Sequence, residues 1–98
     1  MGTALKTGPK VGYCIYIDTF LEGPCPVEHD EQGCPIVYPT LLAAQRIIAE
    51  DTIERIHQFL LGEREFDDAM TVEEYVVKVD IQPDGSVYDQ SGQRFGRV

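Results

Sequence analysis

The residues of this sequence best equipped for chemistry lie between positions 25 and 34, reading Cys-Pro-Val-Glu-His-Asp-Glu-Gln-Gly-Cys. Two thiols, an imidazole and three carboxylates within ten residues supply enough donor types for a metal, with Cys25, His29 and Cys34 as the candidate ligands. The spacing is not that of a zinc finger, which pairs close cysteines as C-x₂-C, because eight residues separate these two thiols. A Cys25–Cys34 disulfide closing the segment is a second reading, and two free thiols flanking an acidic loop a third. As a nucleophile, either cysteine could borrow His29 as base, but Glu28, Asp30 and Glu31 favour thiol over thiolate.

Other catalytic constellations are thin. Ser86 and Ser91 stand in turn-like segments without a neighbouring histidine, and His57 falls on the polar side of a helix pattern. The clustered carboxylates lie in hydrophilic stretches with nothing to push two pKa values apart. Neither a P-loop nor a dinucleotide glycine pattern occurs, so no catalytic residue and no cofactor is expected. Asp84-Gly85 and Asp89 to Gly92 lack the spacing and terminal Glu of a calcium loop and read as turns.

Aromatic residues offer a different kind of chemistry. Tyr16, with Cys14, Phe20 and Val76, is expected to form an apolar patch on the open side of a sheet. Such a patch would contact a protein partner or a second copy, since flat aromatic groups give large contact at low entropic cost. Tyr16, Phe20 and Val76 are the partner-binding candidates.

The elements that must position these groups centre on Thr40 to Leu61, TLLAAQRIIAEDTIERIHQFLL, the one long helical pattern. Thr40 is a natural N-cap, Pro39 keeps the preceding residue extended, and Gly62 stands where a left-handed cap would end the helix. Leu41, Leu42, Ile48, Ala49, Ile53, Ile56, Phe59 and Leu60 form the expected core face, interrupted by Gln45 and Thr52, with Ile47 on the polar side. Gln45 is expected to bond loop backbone and Thr52 its own helix carbonyl, and Asp51 is expected to pair with Arg55.

Val11 to Phe20 alternates Val11, Tyr13, Ile15 and Ile17 with Gly12, Cys14, Tyr16 and Asp18, a pattern that predicts a central strand covered on both sides. Leu21 to Gly33 reads as a long connection, Cys34 to Tyr38 as a short second strand, and Glu63 to Glu74 as an acidic connection with Phe66 and Met70 tucked beneath the helix end. Val72 to Gln82 gives a strand with Tyr75, Val77, Val79 and Ile81 on one face and its polar residues toward water. Pro83-Asp84-Gly85 marks a turn into Ser86 to Asp89, and Arg94 to Val98 a candidate last strand.

The fold class is therefore α+β, in strand-strand-helix-strand-strand order. A three- or four-stranded, mainly antiparallel sheet carries one long helix on one face. Residues 1–10 read as a flexible arm and 11–98 as one domain, which fits a length of 98 residues.

Seventeen acidic residues against eight Lys and Arg give a formal charge of −9, a field that repels nucleic-acid backbones and anionic membranes. No stretch is apolar enough to cross a bilayer, and three cysteines without a secretory signal fit reduced thiols, so a cytoplasmic protein is expected.

Pro39 to Ala44 and the strand before them resemble HicB-type antitoxins, although the Gly-Cys-x-x-x-Gly segment of that family is missing between Tyr38 and Thr40. The resemblance implies a small basic toxin as partner. The residues themselves point first to a small acidic, non-catalytic protein-binding or regulatory module, self-association included. The alternatives are a nucleic-acid-mimicking inhibitor or antitoxin-like protein with a basic partner, and a metal- or thiol-dependent protein centred on the Cys25–Cys34 loop.

Overall fold

Alternation with apolar groups on both faces makes β1, Lys10–Thr19, a strand covered on both sides: Cys14, Ile15 and Tyr16, three consecutive residues pointing to alternate sides, are all buried. A computed structural model describes residues 10–95 of the chain. After β1 come β2 (Gly23–Pro26), α1 (Leu41–Leu60), α2 (Phe66–Met70), β3 (Tyr75–Ile81), β4 (Val87–Tyr88) and β5 (Arg94–Phe95). The strands form one five-stranded sheet in the order β2-β1-β3-β4-β5 with every pairing antiparallel. The α+β class is as expected, with one strand more and a second short helix. Lys10 belongs to β1 rather than to an arm, and residues 1–9 lie outside the described residues, as do 96–98 of the expected last strand.

The second strand is not Cys34 to Tyr38. It is Gly23–Pro26, within the segment read as a connection, and it pairs with Tyr16 to Thr19. Pro24 and Pro26 are tolerated because an edge strand needs only one of its two hydrogen-bonding sides. The chain then leaves the sheet in a small turn closed by Asp30, whose Oδ1 accepts from the Gln32 and Cys34 amides, both at 2.9 Å. It returns at Tyr38, whose backbone exchanges hydrogen bonds with Tyr13 at 2.7 and 2.9 Å.

The two sheet faces are closed by different means. Gly12, Cys14 and Tyr16 stand opposite Val79, Val77 and Tyr75, and this face, extended by Val87 and Phe95, holds the main apolar cluster. Val37 covers it where Gly12 leaves room: a Cβ at position 12 would come within 2.2 Å of Val37 Cγ1. The face carrying Ile15, Ile17, Glu74 and Val76 receives α1, which lies against β1 and β3. Arg55 of α1 pairs there with Glu74 at 3.6 Å and shares a cleft with Ile17. The polar side of β3, expected to face water, is therefore the side that carries the helix.

The helix ends where local chemistry ends it. Thr40 Oγ1 accepts from the Ala43 amide at 3.0 Å. At the other end Gly62 adopts φ +81°, and the Gly62 and Glu63 amides donate to the Phe59 and Gln58 carbonyls at 2.9 and 2.8 Å, the 5→2 and 6→1 pair of a Schellman motif.

Candidate functional site

α1 is one unbroken rod of 20 residues, but it is rotated about its axis relative to the expected core face. Buried Ala44 and half-buried Ile47, Ile48, Thr52, Arg55 and Phe59 turn toward the sheet and α2. Leu42, Ile53 and Leu60, assigned to the core by their periodicity, are 62, 66 and 72% exposed, and Leu41 and Ala49 are exposed as well.

Polar contacts accompany the apolar ones on the inner side. Arg55 reaches Glu74, the Thr52 hydroxyl at 3.1 Å and the Thr71 carbonyl at 3.4 Å, rather than pairing with Asp51. The Thr52 hydroxyl donates to the Ile48 carbonyl at 2.8 Å, so a polar group on the inner face is satisfied by its own helix. Gln45, expected to bond loop backbone, is exposed, and Ile47, expected on the polar side, is half-buried. Phe66 meets Phe59 edge-on with ring centroids 5.2 Å apart, closing the end of the helix against α2, although Phe66 and Met70 each keep about half their surface in solvent.

The outward face keeps exposed apolar residues at Leu42, Ala49, Ile53 and Leu60, interrupted by Arg46. With Arg46 and the half-buried Ile56 at its margin, Leu42, Ala49, Ile53 and Leu60 fall on a spacing that alternates three and four residues, the 3.5-residue period of a helix-pairing seam. Glu50, Glu54 and His57 flank it on one side. The signal was present in the sequence: α1 carries two overlapping apolar stripes, of which only one can meet the sheet.

The other candidates are dispersed. Tyr16 is 1% exposed and sits in the apolar cluster, where its ring packs edge-on against Phe95 with centroids 5.9 Å apart. Val76 is opposite Ile15 on the other face, and Phe20 is fully exposed in the β1–β2 turn. Tyr16, Phe20 and Val76 therefore do not form one patch: β1 passes Tyr16 inward, and the pleat sends Val76 to the reverse side.

Cys25 lies in β2 opposite Ile17, whereas Cys34 is tied to Asp30 and the exposed His29 bridges to Pro35. All three cysteines are free. Among the described residues no group of three or more His, Cys, Asp or Glu is disposed to hold a metal ion.

Several titratable groups are instead used as structural ties. Burial, with Glu28 nearby, pushes the Cys14 thiol up to about 11, the opposite of activation. The Tyr38 phenol donates to Glu28 Oε1 at 2.8 Å, and burial together with this carboxylate raises its pKa to about 12. Tyr75 donates to Asp18, a bond that raises the phenol to about 12.

Open clefts lie between the elements, and two of them border the candidate residues. One of about 210 Å³ is lined by Ile17, Arg55, Asp68, Thr71, Glu73 and Glu74. The other, about 540 Å³, runs between the Asp30 turn and β3–β4, lined in part by Cys34, Pro35, Val37, Ile81 and Val87. In the first the Thr71 hydroxyl donates to the Asp67 carbonyl, and in the second Asp30 accepts from the Cys34 amide rather than from its thiol. No helix among the described residues is long and apolar enough to cross a membrane. Comparison of the chain with protein-family models, with curated proteins and with solved structures finds no match.

Proposed function

We propose that this chain is a non-catalytic protein-binding module whose docking surface is the outer face of α1. One observation carries the reading: a well-capped helix turns Ala44, Ile48, Thr52, Arg55 and Phe59 toward its own sheet and α2 and keeps Leu42, Ile53 and Leu60 in solvent. Burying a large aliphatic side chain is worth about 1.5–3 kcal/mol. A stripe of them left outside is a store of binding energy that the domain itself does not use, and contiguous exposed apolar patches mark interaction sites.

The flanks narrow the kind of partner. An amphipathic helix that lies on a membrane carries Lys and Arg beside its apolar face, whereas this one carries Glu50 and Glu54. The same acids and the net charge of −9 oppose a nucleic-acid backbone. A protein helix with an apolar seam is the partner that fits. Mimicry of nucleic acid is less favoured, because many carboxylates are committed internally: Asp18 and Glu28 to tyrosines, Asp30 and Asp84 to turns, Asp68 and Glu74 to arginines.

A photo-crosslinking residue in place of Ile53, expressed in the source cells, is expected to give discrete protein adducts, with none from the same residue at Glu63. Adducts no more abundant at position 53 than at position 63 would overturn the reading.

A further inference from the structure

We infer that the partner of the α1 seam is the α1 seam of a second copy, laid antiparallel about a two-fold axis near Asp51. This inference rests on the docking reading above and names its occupant.

The self-complementarity is visible in spacing, size and charge. In an antiparallel pair centred on Asp51, Leu42 lies level with Leu60 of the second copy. Ala49 lies level with Ile53, so the smallest seam residue receives one of the largest, and both contacts occur twice by symmetry. Arg46, the one charged residue in the seam, lies level with Ile56 of the second copy. It is displaced by only about two residues, roughly 3 Å along the axis, from Glu54 on the same side.

A parallel pair would do the reverse at each position. It would stack Arg46 on Arg46, leave a gap between two Ala49 side chains and crowd two Ile53 side chains together. Because Leu42, Ala49, Ile53 and Leu60 are exposed while Ala44, Ile48 and Thr52 turn inward, such a pair would carry its two sheets on the outer sides of the helices.

The area sets the strength. A strip one helix long, about 30 Å, and about 10 Å wide is less than the roughly 800 Å² per partner of a standard interface. The pairing is therefore concentration-dependent rather than permanent. The net charge of −9 on each copy opposes approach at low ionic strength, and at about 0.15 M salt the screening length of about 8 Å confines that repulsion while the short Arg46–Glu54 contacts persist. Association is thus expected to strengthen as salt is raised from low to physiological levels.

Sedimentation velocity on the purified full chain, from low to high micromolar concentration, tests this with four samples: the unaltered protein, R46E, E54R and an equimolar mixture of the two variants. The unaltered protein is expected to dimerise reversibly. Each variant alone places like charges at both symmetric contacts and weakens association by about tenfold. In the mixture, the carboxylate introduced at position 46 of one chain faces the guanidinium introduced at position 54 of the other. The native Glu54 of the first chain meets the native Arg46 of the second, so association recovers toward that of the unaltered protein. An unaltered protein that stays monomeric throughout, or a mixture no more associated than its components, overturns the inference. Crosslinks from position 53 to other proteins alone would also overturn it while leaving the docking reading intact, whereas a lack of any specific crosslink removes both.

Discussion

The Tyr16 hydroxyl donates to Asp89 Oδ2 at 3.1 Å, joining β1 to a turn 73 residues further along the chain. The other carboxylate oxygen, Oδ1, accepts from the Ser91 amide and hydroxyl and from the Gln93 amide at 2.9, 2.6 and 3.0 Å. One carboxylate thus shapes the 89–93 turn and fixes it to the core. Burial pushes the Asp89 carboxyl up, but the Ser91 hydroxyl, the Gln93 amide, the Tyr16 phenol and the Ser91 amide together hold it below its ordinary value of 3.8. Burial and the same carboxylate push the Tyr16 phenol well above its ordinary range.

Because the folded-state pKa of Asp89 is depressed, its contribution to stability is complete above the ordinary carboxylate range and is lost as pH falls through the folded value. Asp89→Asn is expected to cost about 1–3 kcal/mol at neutral pH. The gap between variant and unaltered protein should narrow as pH drops below about 4. Urea denaturation at a series of pH values checks this, and a gap that stays constant or widens in acid would contradict the role given to Asp89. Tyr16→Phe removes one of the four donors and is expected to cost about 0.5–1.5 kcal/mol.

Gly12 is constrained by contact rather than by backbone angle. Gly12→Ala drives a methyl into Val37 and toward the Tyr38 carbonyl, 3.3 Å from the added carbon. A loss of about 1–3 kcal/mol is expected. Val37→Ala in the same chain opens the space, so the double variant should lose less than the two single variants summed, as measured by chemical denaturation in a double-mutant cycle.

Thiol labelling should separate the cysteines into two classes. Cys25 and Cys34 are half-buried near the surface, whereas Cys14 is fully buried with its pKa at about 11. With an aromatic disulfide reagent at pH 8, two thiols are expected to react quickly and the third only on unfolding, so that Cys14→Ser removes the slow phase alone. A rapid third thiol would place Cys14 outside the core.

Much of this fold could be read from local pattern. The alternation in Val11 to Phe20 and Val72 to Gln82 marks β1 and β3, and Thr40 and Gly62 mark both ends of α1, because strand pleat and helix caps are short-range chemistry. Gly23-Pro24-Cys25-Pro26 was not legible as a strand, since its composition is that of a loop and only its place at the sheet edge makes the prolines acceptable. The burial of Tyr16 was hidden for another reason: Asp89, its hydroxyl partner, is remote in sequence. The facing of α1 was the most consequential ambiguity. Its apolar residues spread over more than one side of the helical wheel, and the side that meets the sheet is the one on which Arg55 pairs with Glu74. The residues of the outer face of α1 are thus legible in the sequence as an apolar stripe, but which side of the helix meets the sheet is not.

The orientation of α1 can be measured directly by comparing Ile48→Glu with Ile53→Glu in dilute solution, where association is negligible. Ile48 is half-buried on the sheet side and Ile53 is 66% exposed on the outer side. A carboxylate forced against the sheet at position 48 is expected to cost more than about 3 kcal/mol, whereas at position 53 the change should stay within about 0.5 kcal/mol. The predicted result is an Ile53→Glu protein with unaltered unfolding by urea beside an Ile48→Glu protein that is largely unfolded. Equal loss of stability at the two positions, or greater loss at Ile53, would contradict an outward apolar seam and the binding surface built on it.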